Sequence, residues 1–178
     1  TISRRQRQMC IRDSPWNETH QLLRVGIQGK SMNRDERPAA NLVFLIDVSG
    51  SMSSKNKLPL VQETMGVLVE ELNAKDSISI VVYAGAEGLA LPCTPGNAQE
   101  KILTAINNLK SGGSTNGGAG IELAYEVACK NFIEDGVNRV ILCTDGDFNV
   151  GTTNQQDLVD LVENKSKGGV FLSVCGFG

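Results

Sequence analysis

From Asn41 onward, apolar runs alternate with amphipathic segments. NLVFLID (41–47) is a short unbroken apolar run, the pattern of a strand buried on both faces. After a polar loop, Leu58, Val61, Met65, Leu68, Val69 and Leu72 fall on one face of a helix. SISIVVYA (77–84) predicts a second buried strand, and LALPC (89–93) a short one whose Pro92 marks an edge or an end. NAQEKILTAINNL (97–109) carries Ile102, Ile106 and Leu109 at helical spacing. KSGGSTNGGAG (110–120) predicts a loop, and a helix follows through Ile121, Ala124, Tyr125, Ala128 and Phe132. RVILCTDG (139–146) predicts a further buried strand, and NQQDLVDLVENKSKGG (154–169) an amphipathic helix with glycine behind its end. VFLSVCGFG (170–178) reads as a last strand.

Upstream the text differs. TISRRQRQMCIRDS (1–14) has no period and resembles translated linker sequence joined to a gene. HQLLRVGIQG (20–29) alternates well enough for a strand, and KSMNRDERPAAN (30–41) is a polar linker with a proline. The expected organisation is a non-native or disordered leader over 1–14, a strand extension and linker over 15–40, and an α/β domain over 41–178. Continuous apolar strands alternating with amphipathic helices imply an open, doubly wound, mainly parallel sheet covered on both faces. Such sheets bind ligands beyond the carboxyl ends of their strands, where strand order reverses.

Three polar clusters are expected there. Asp47-x-Ser49-x-Ser51 follows the first strand of the domain, Thr115 sits in the glycine loop, and Asp145 ends RVILCTDG. Two carboxylates and three hydroxyls make an all-oxygen donor set, suited to Mg²⁺, with Mn²⁺ or Ca²⁺ as alternatives, and not to zinc or copper. Two carboxylates just neutralise a divalent ion. Five short side chains, some acting through water, leave a coordination position for one more oxygen, and a carboxylate from a partner is its natural occupant. The competing reading of Asp47, Ser49 and Ser51 is a strand-end turn that caps the next helix.

These three parts in this order, together with the upstream PWN and HQLLRVGIQGK, resemble von Willebrand factor type A domains, in particular the bacterial YfbK-like family. The resemblance implies a Rossmann-like fold over 41–178 and a metal-ion-dependent adhesion site. It makes Ser49, Ser51 and Thr115 direct ligands, with Asp47 and Asp145 acting through water or hydrogen bonds. It implies a protein partner that presents an Asp or Glu. It also implies further helix and strand after VFLSVCGFG, so one sheet face is expected to be partly uncovered, with apolar exposure and marginal stability. Relatives are often associated with the cell envelope, which sets the expectation for localisation.

Composition removes other classes. The chain has 178 residues and a net charge of −3, without a lysine/arginine face for nucleic acid. No apolar run approaches about 18 residues, so no transmembrane helix is expected, and residues 1–10 do not read as a signal peptide. Five scattered cysteines make no CxxC pair and no disulfide framework, and Cys143 and Cys175 read as small buried thiols. GGSTNGGAG lacks the spacing of a phosphate loop. DGDFNVG (145–151) places its glycine one position late for a calcium loop, and position 12 is Gln156. Catalysis has little support. The only histidine is His20, no G-x-S-x-G occurs, and Ser49 stands where an aspartyl-nucleophile phosphatase would carry its second aspartate.

Overall fold

Two antiparallel strands, β1 (Gln6–Ser14) and β2 (Asn17–Gln28), form the first of two compact units, Thr1–Arg37. The protein is seen as a computed structural model that describes residues 6–14, 16–28, 36–84, 88–112, 117–146 and 155–178. Within the stretch expected to be a non-native or disordered leader, Gln6–Ser14 forms β1, with Met9 and Ile11 in register with Val25 and Leu23. The segment looked periodless alone because its order comes from a cross-strand partner.

The second unit, Pro38–Gly178, holds β3 (Ala40–Asp47), α1 (Leu58–Glu71), β4 (Ser77–Tyr83), β5 (Gly88–Pro95), α2 (Gln99–Asn107), α3 (Gly117–Lys130), β6 (Val137–Thr144), α4 (Gln155–Lys167) and β7 (Val170–Gly176). Its sheet has the order β5-β4-β3-β6-β7, all parallel except β5, which pairs antiparallel with β4. This is the expected open, mainly parallel α/β sheet. Pro92 lies in β5, the edge strand, where a missing backbone donor is tolerated.

Strand alternation divides the core. Phe44, Ile46, Ile78 and Ile80 point to one face and pack with Val61, Met65 and Val69 of α1 and Ile102 and Ile106 of α2. Val43, Leu45, Val81 and Tyr83 point to the other and pack with Ile121, Ala124, Tyr125 and Ala128 of α3. Each Val, Leu, Ile, Met or Phe among them contributes about 1.5–3 kcal/mol of burial free energy.

Three expectations are corrected. The predicted loop 110–120 is already helical at Gly117, because α3 packs closely enough that a Cβ on Gly120 would sit 2.8 Å from Cβ of Tyr83. Tertiary packing here overrides the weak helix propensity of glycine. Phe132 lies past the end of α3 and is exposed, and Cys175 is exposed rather than buried. Phe171 and Val174 of the edge strand β7 are exposed.

A polar layer closes the end of the sheet where the strands begin. Asn41 Nδ2 donates to the carbonyl of Ala128 (3.0 Å) and to Oδ1 of Asn138 (3.2 Å). Asn138 also exchanges two hydrogen bonds of 2.8 Å with the backbone of Ile133. Among the described residues, no helix is long and apolar enough to cross a membrane.

Candidate metal centre

Chain order sends β4 to one side of β3 and β6 to the other. Strand order therefore reverses at β3, and the crevice beyond the carboxyl ends of β3 and β6 is the place for a ligand. Asp47 is the last residue of β3, and Asp145 follows the last residue of β6.

Asp47 is fully buried, and both of its carboxylate oxygens are engaged. Oδ1 accepts from the backbone N–H of Ser49 at 2.8 Å, a local turn of the type aspartate favours. Oδ2 accepts from the Tyr83 hydroxyl at 3.1 Å and from the Thr144 hydroxyl at 3.3 Å. The carboxylate thereby links the ends of β3, β4 and β6. Burial pushes the Tyr83 phenol well above its usual range; the Thr144 hydrogen bond opposes this, and the charges of Asp47 and Asp145 add to it.

The turn held by Asp47 leads into a single 3₁₀ turn, Gly50–Ser53, with Ser49 at its N-cap position. The Ser49 side chain caps no backbone N–H there. Its hydroxyl instead lies 2.9 Å from that of Ser51. The helix-capping reading of these serines is thus not what the geometry carries.

On the β6 side, Gly146 takes φ 103°, a left-handed value that suits glycine, and its N–H donates to the Thr144 hydroxyl at 3.2 Å. This turn sets Asp145 with its side chain only 3% exposed, paired at 2.9 Å with the ammonium of Lys57.

Thr115 lies outside the described residues, as do Asp147 and Asn149 of the sequence DGDFNVG. The described segments on either side of Thr115 converge on the site. Gly112 N–H donates to the carbonyl of Val48 at 2.8 Å, and α3 begins at Gly117 and meets Tyr83 at Gly120.

The structure therefore brings Asp47, Ser49, Ser51 and Asp145 to one crevice. It adds Tyr83, Thr144 and Lys57, which sequence reasoning missed. Thr144 was within reach, since it directly precedes Asp145. Tyr83 stands opposite Asp47 in the register, and only strand pairing reveals that. His20 falls in β2 of the other unit. Among the described residues no three His, Cys, Asp or Glu side chains cluster closely enough to hold a metal, so a cation here would draw on the hydroxyls.

A model of the von Willebrand factor type A domain matches residues 41–178. The uncharacterized protein YfbK of Escherichia coli K12 is 50% identical over 165 residues, which are 93% of this chain and 29% of YfbK. The chain thus spans less than a third of that relative's length. Among solved structures, BatB of Bacteroides thetaiotaomicron has a TM-score of 0.62 at 22% identity, covering 78% of this chain and 66% of that one. Proximal thread matrix protein 1 of the mussel byssus, with zinc in its MIDAS motif, has a TM-score of 0.60 at 22% identity, covering 79% and 36%. At such identities the likeness speaks for the fold. Domains of this family typically mediate metal-dependent protein interactions. The matched stretch contains the Asp47 turn, the Thr144–Asp145 turn and the strand-order reversal between them, and this chain belongs to the von Willebrand factor type A domain family.

Proposed function

We propose that this domain engages a protein partner through a divalent cation, Mg²⁺ in the first place, held at the crevice between β3 and β6. The observation that carries the reading is the paired hydroxyls of Ser49 and Ser51, 2.9 Å apart beside two buried carboxylates. Neighbouring ligands of an octahedral ion with metal–oxygen distances near 2.0–2.1 Å lie about 2.9 Å from each other. The donor chemistry fits a small hard cation, and two hydroxyls already within hydrogen-bonding distance can serve as neighbouring ligands of one ion.

Ser49 and Ser51 would hold the metal directly, with Thr115 as the third hydroxyl. Asp47, whose oxygens are taken by Ser49, Tyr83 and Thr144, orients the serine turn. Asp145 would supply compensating charge on the opposite side. The bound ion supplies a Lewis-acidic position for an incoming oxygen. A side-chain carboxylate of the partner, from Asp or Glu, matches it in charge and hardness.

The reading is one of binding, not turnover. The described groups around the crevice offer no imidazole base, and burial pushes the nearby Cys143 thiol up to about 12, far from a nucleophile's range. An envelope location, carried by the family resemblance, stays part of the proposal.

The test is calorimetric titration of Mg²⁺, Mn²⁺, Ca²⁺ and Zn²⁺ into metal-stripped protein, with Asp47→Ala in parallel. Saturable Mg²⁺ binding that is lost in the variant is expected. Partner capture should then disappear with EDTA and with free acidic peptide. Metal binding that raises the thermal midpoint while no acidic ligand competes would reduce the ion to a structural role. Absence of binding by all four ions would overturn the reading.

A further inference from the structure

We infer that Lys57 is a built-in competitor for the cation: its ammonium holds Asp145 in the metal-free domain and must leave when the metal enters. The inference rests on the metal-binding reading above and assigns a role to a residue outside the acid and hydroxyl set.

Lys57 Nζ lies 2.9 Å from Oδ2 of Asp145. The Asp145 side chain is almost fully enclosed, so its charge needs a counter-ion close by. Lys57 provides one. Its backbone is fixed on both sides: its N–H donates to the carbonyl of Ser54 at 3.0 Å, and its carbonyl accepts from Val61 N–H at 2.9 Å, tying it to the start of α1. The anchored backbone delivers the amine to one place, and the four rotatable bonds of the stem give it other positions to adopt. The side chain keeps 23% exposure, which leaves the ammonium a route to solvent.

A divalent ion next to Asp145 and an ammonium on the same carboxylate oppose each other. Both draw on the negative charge of that carboxylate, and two positive charges a few ångströms apart repel strongly where Asp47 and Asp145 are enclosed. Entry of the metal therefore exchanges one cation for another. Without the metal, the lysine supplies the positive charge beside the enclosed acid. In the loaded state the displaced ammonium moves to the rim, on the side from which a partner approaches. The cost of the exchange lowers metal affinity without altering any ligand.

The test is titration of Mg²⁺ and Mn²⁺ into wild type, Lys57→Met and Lys57→Arg at fixed ionic strength, with thermal unfolding in EDTA and in saturating metal. Lys57→Met keeps the stem's bulk and removes the charge. It should bind metal about tenfold more tightly or better, and its midpoint in EDTA should fall. Its metal-induced rise in midpoint should exceed that of wild type. Lys57→Arg, whose fork grips a carboxylate at two points, should bind metal more weakly than wild type. A general loss of folding would weaken binding in both variants, so the gain expected of Lys57→Met cannot come from it. Equal affinity in wild type and Lys57→Met, or weaker binding in Lys57→Met, overturns the role of Lys57 and leaves the metal site standing. Silence of all three proteins toward both ions overturns the lysine role together with the metal site.

Discussion

Tyr83 and Tyr125 allow one substitution to be made twice in the same core with opposite expected results. Both rings are buried in the cluster under α3, with no more than 1% exposure. The Tyr83 hydroxyl donates to the Asp47 carboxylate at 3.1 Å, whereas the Tyr125 hydroxyl has no hydrogen-bond partner among the described residues. Changing either to Phe leaves the ring in place, so the large burial term cancels. Tyr83→Phe removes a hydrogen bond to a charged acceptor, worth about 1.5–3 kcal/mol net. The long distance favours the lower half of that range. Tyr125→Phe removes a hydroxyl that already bears its desolvation cost of about 1–3 kcal/mol. A small void partly offsets the gain, so the expected change runs from none to about 1 kcal/mol of stabilisation. The two variants should therefore differ by about 2 kcal/mol, with the sign set by the partner. Urea unfolding in EDTA, followed by far-UV circular dichroism, measures both, and equal m-values would show that the comparison is of native states. If Tyr125→Phe destabilises the domain as much as Tyr83→Phe does, the hydrogen-bond account of Asp47 is wrong.

Asp47→Asn keeps an acceptor for Ser49 N–H, and the two hydroxyls on the other oxygen can rotate to accept from the new amide. It should change metal-free stability by less than about 1 kcal/mol yet remove the metal-induced rise in thermal midpoint. Burial raises the Cys143 thiol from 9.0 to about 12 and the Tyr125 phenol from 10.0 to about 12, and it raises Tyr83 as well. The folded state keeps protons that the unfolded state releases, so stability should hold below about pH 9 and fall as pH rises toward 12. The slope is about 1.4 kcal/mol per pH unit for each such group, and denaturant midpoints measured from pH 7 to 11 check it. A thiol reagent at pH 8 should modify the exposed Cys175 rapidly and Cys143 only on unfolding, readable by mass spectrometry. Gly120→Ala would place a methyl 2.8 Å from Cβ of Tyr83 and 3.3 Å from Cδ1 of Leu45, so a loss of about 1–3 kcal/mol is expected, together with weaker metal binding as Tyr83 shifts.

Much of this molecule is visible in its one-dimensional pattern. Unbroken apolar runs marked the parallel strands, and Asp47, Ser49, Ser51 and Asp145 stood out because polar groups directly behind such runs lie at the carboxyl ends of strands. What escaped depends on pairing or on reach. Tyr83 passes for an ordinary strand tyrosine until the register sets it against Asp47. Lys57 sits in a polar loop, and a long flexible side chain leaves no periodic trace of where its charge ends. β1 is recognisable through its pairing with β2, and the start of α3 is hidden in a glycine-rich stretch where Gly120 serves close packing.

The asparagine layer at the far end of the sheet has a consequence for the crevice. Asn41 and Asp47 bound one face of β3, about 20 Å apart, with Val43 and Leu45 between them. Slipping a strand by one residue would turn its apolar side chains to the wrong face, and the oily interior would resist it. Slipping by two would not, because every side chain keeps its face. Only the polar groups at the two ends can detect that error: Asn41 would lose Asn138, and Asp47 would lose Tyr83 and Thr144. The two layers work as a vernier, coarse alignment coming from the greasy middle and fine alignment from the ends. The Asp47 crevice can therefore be spoiled from the opposite end of the sheet, by a change that touches none of its oxygens and leaves the core as oily as before.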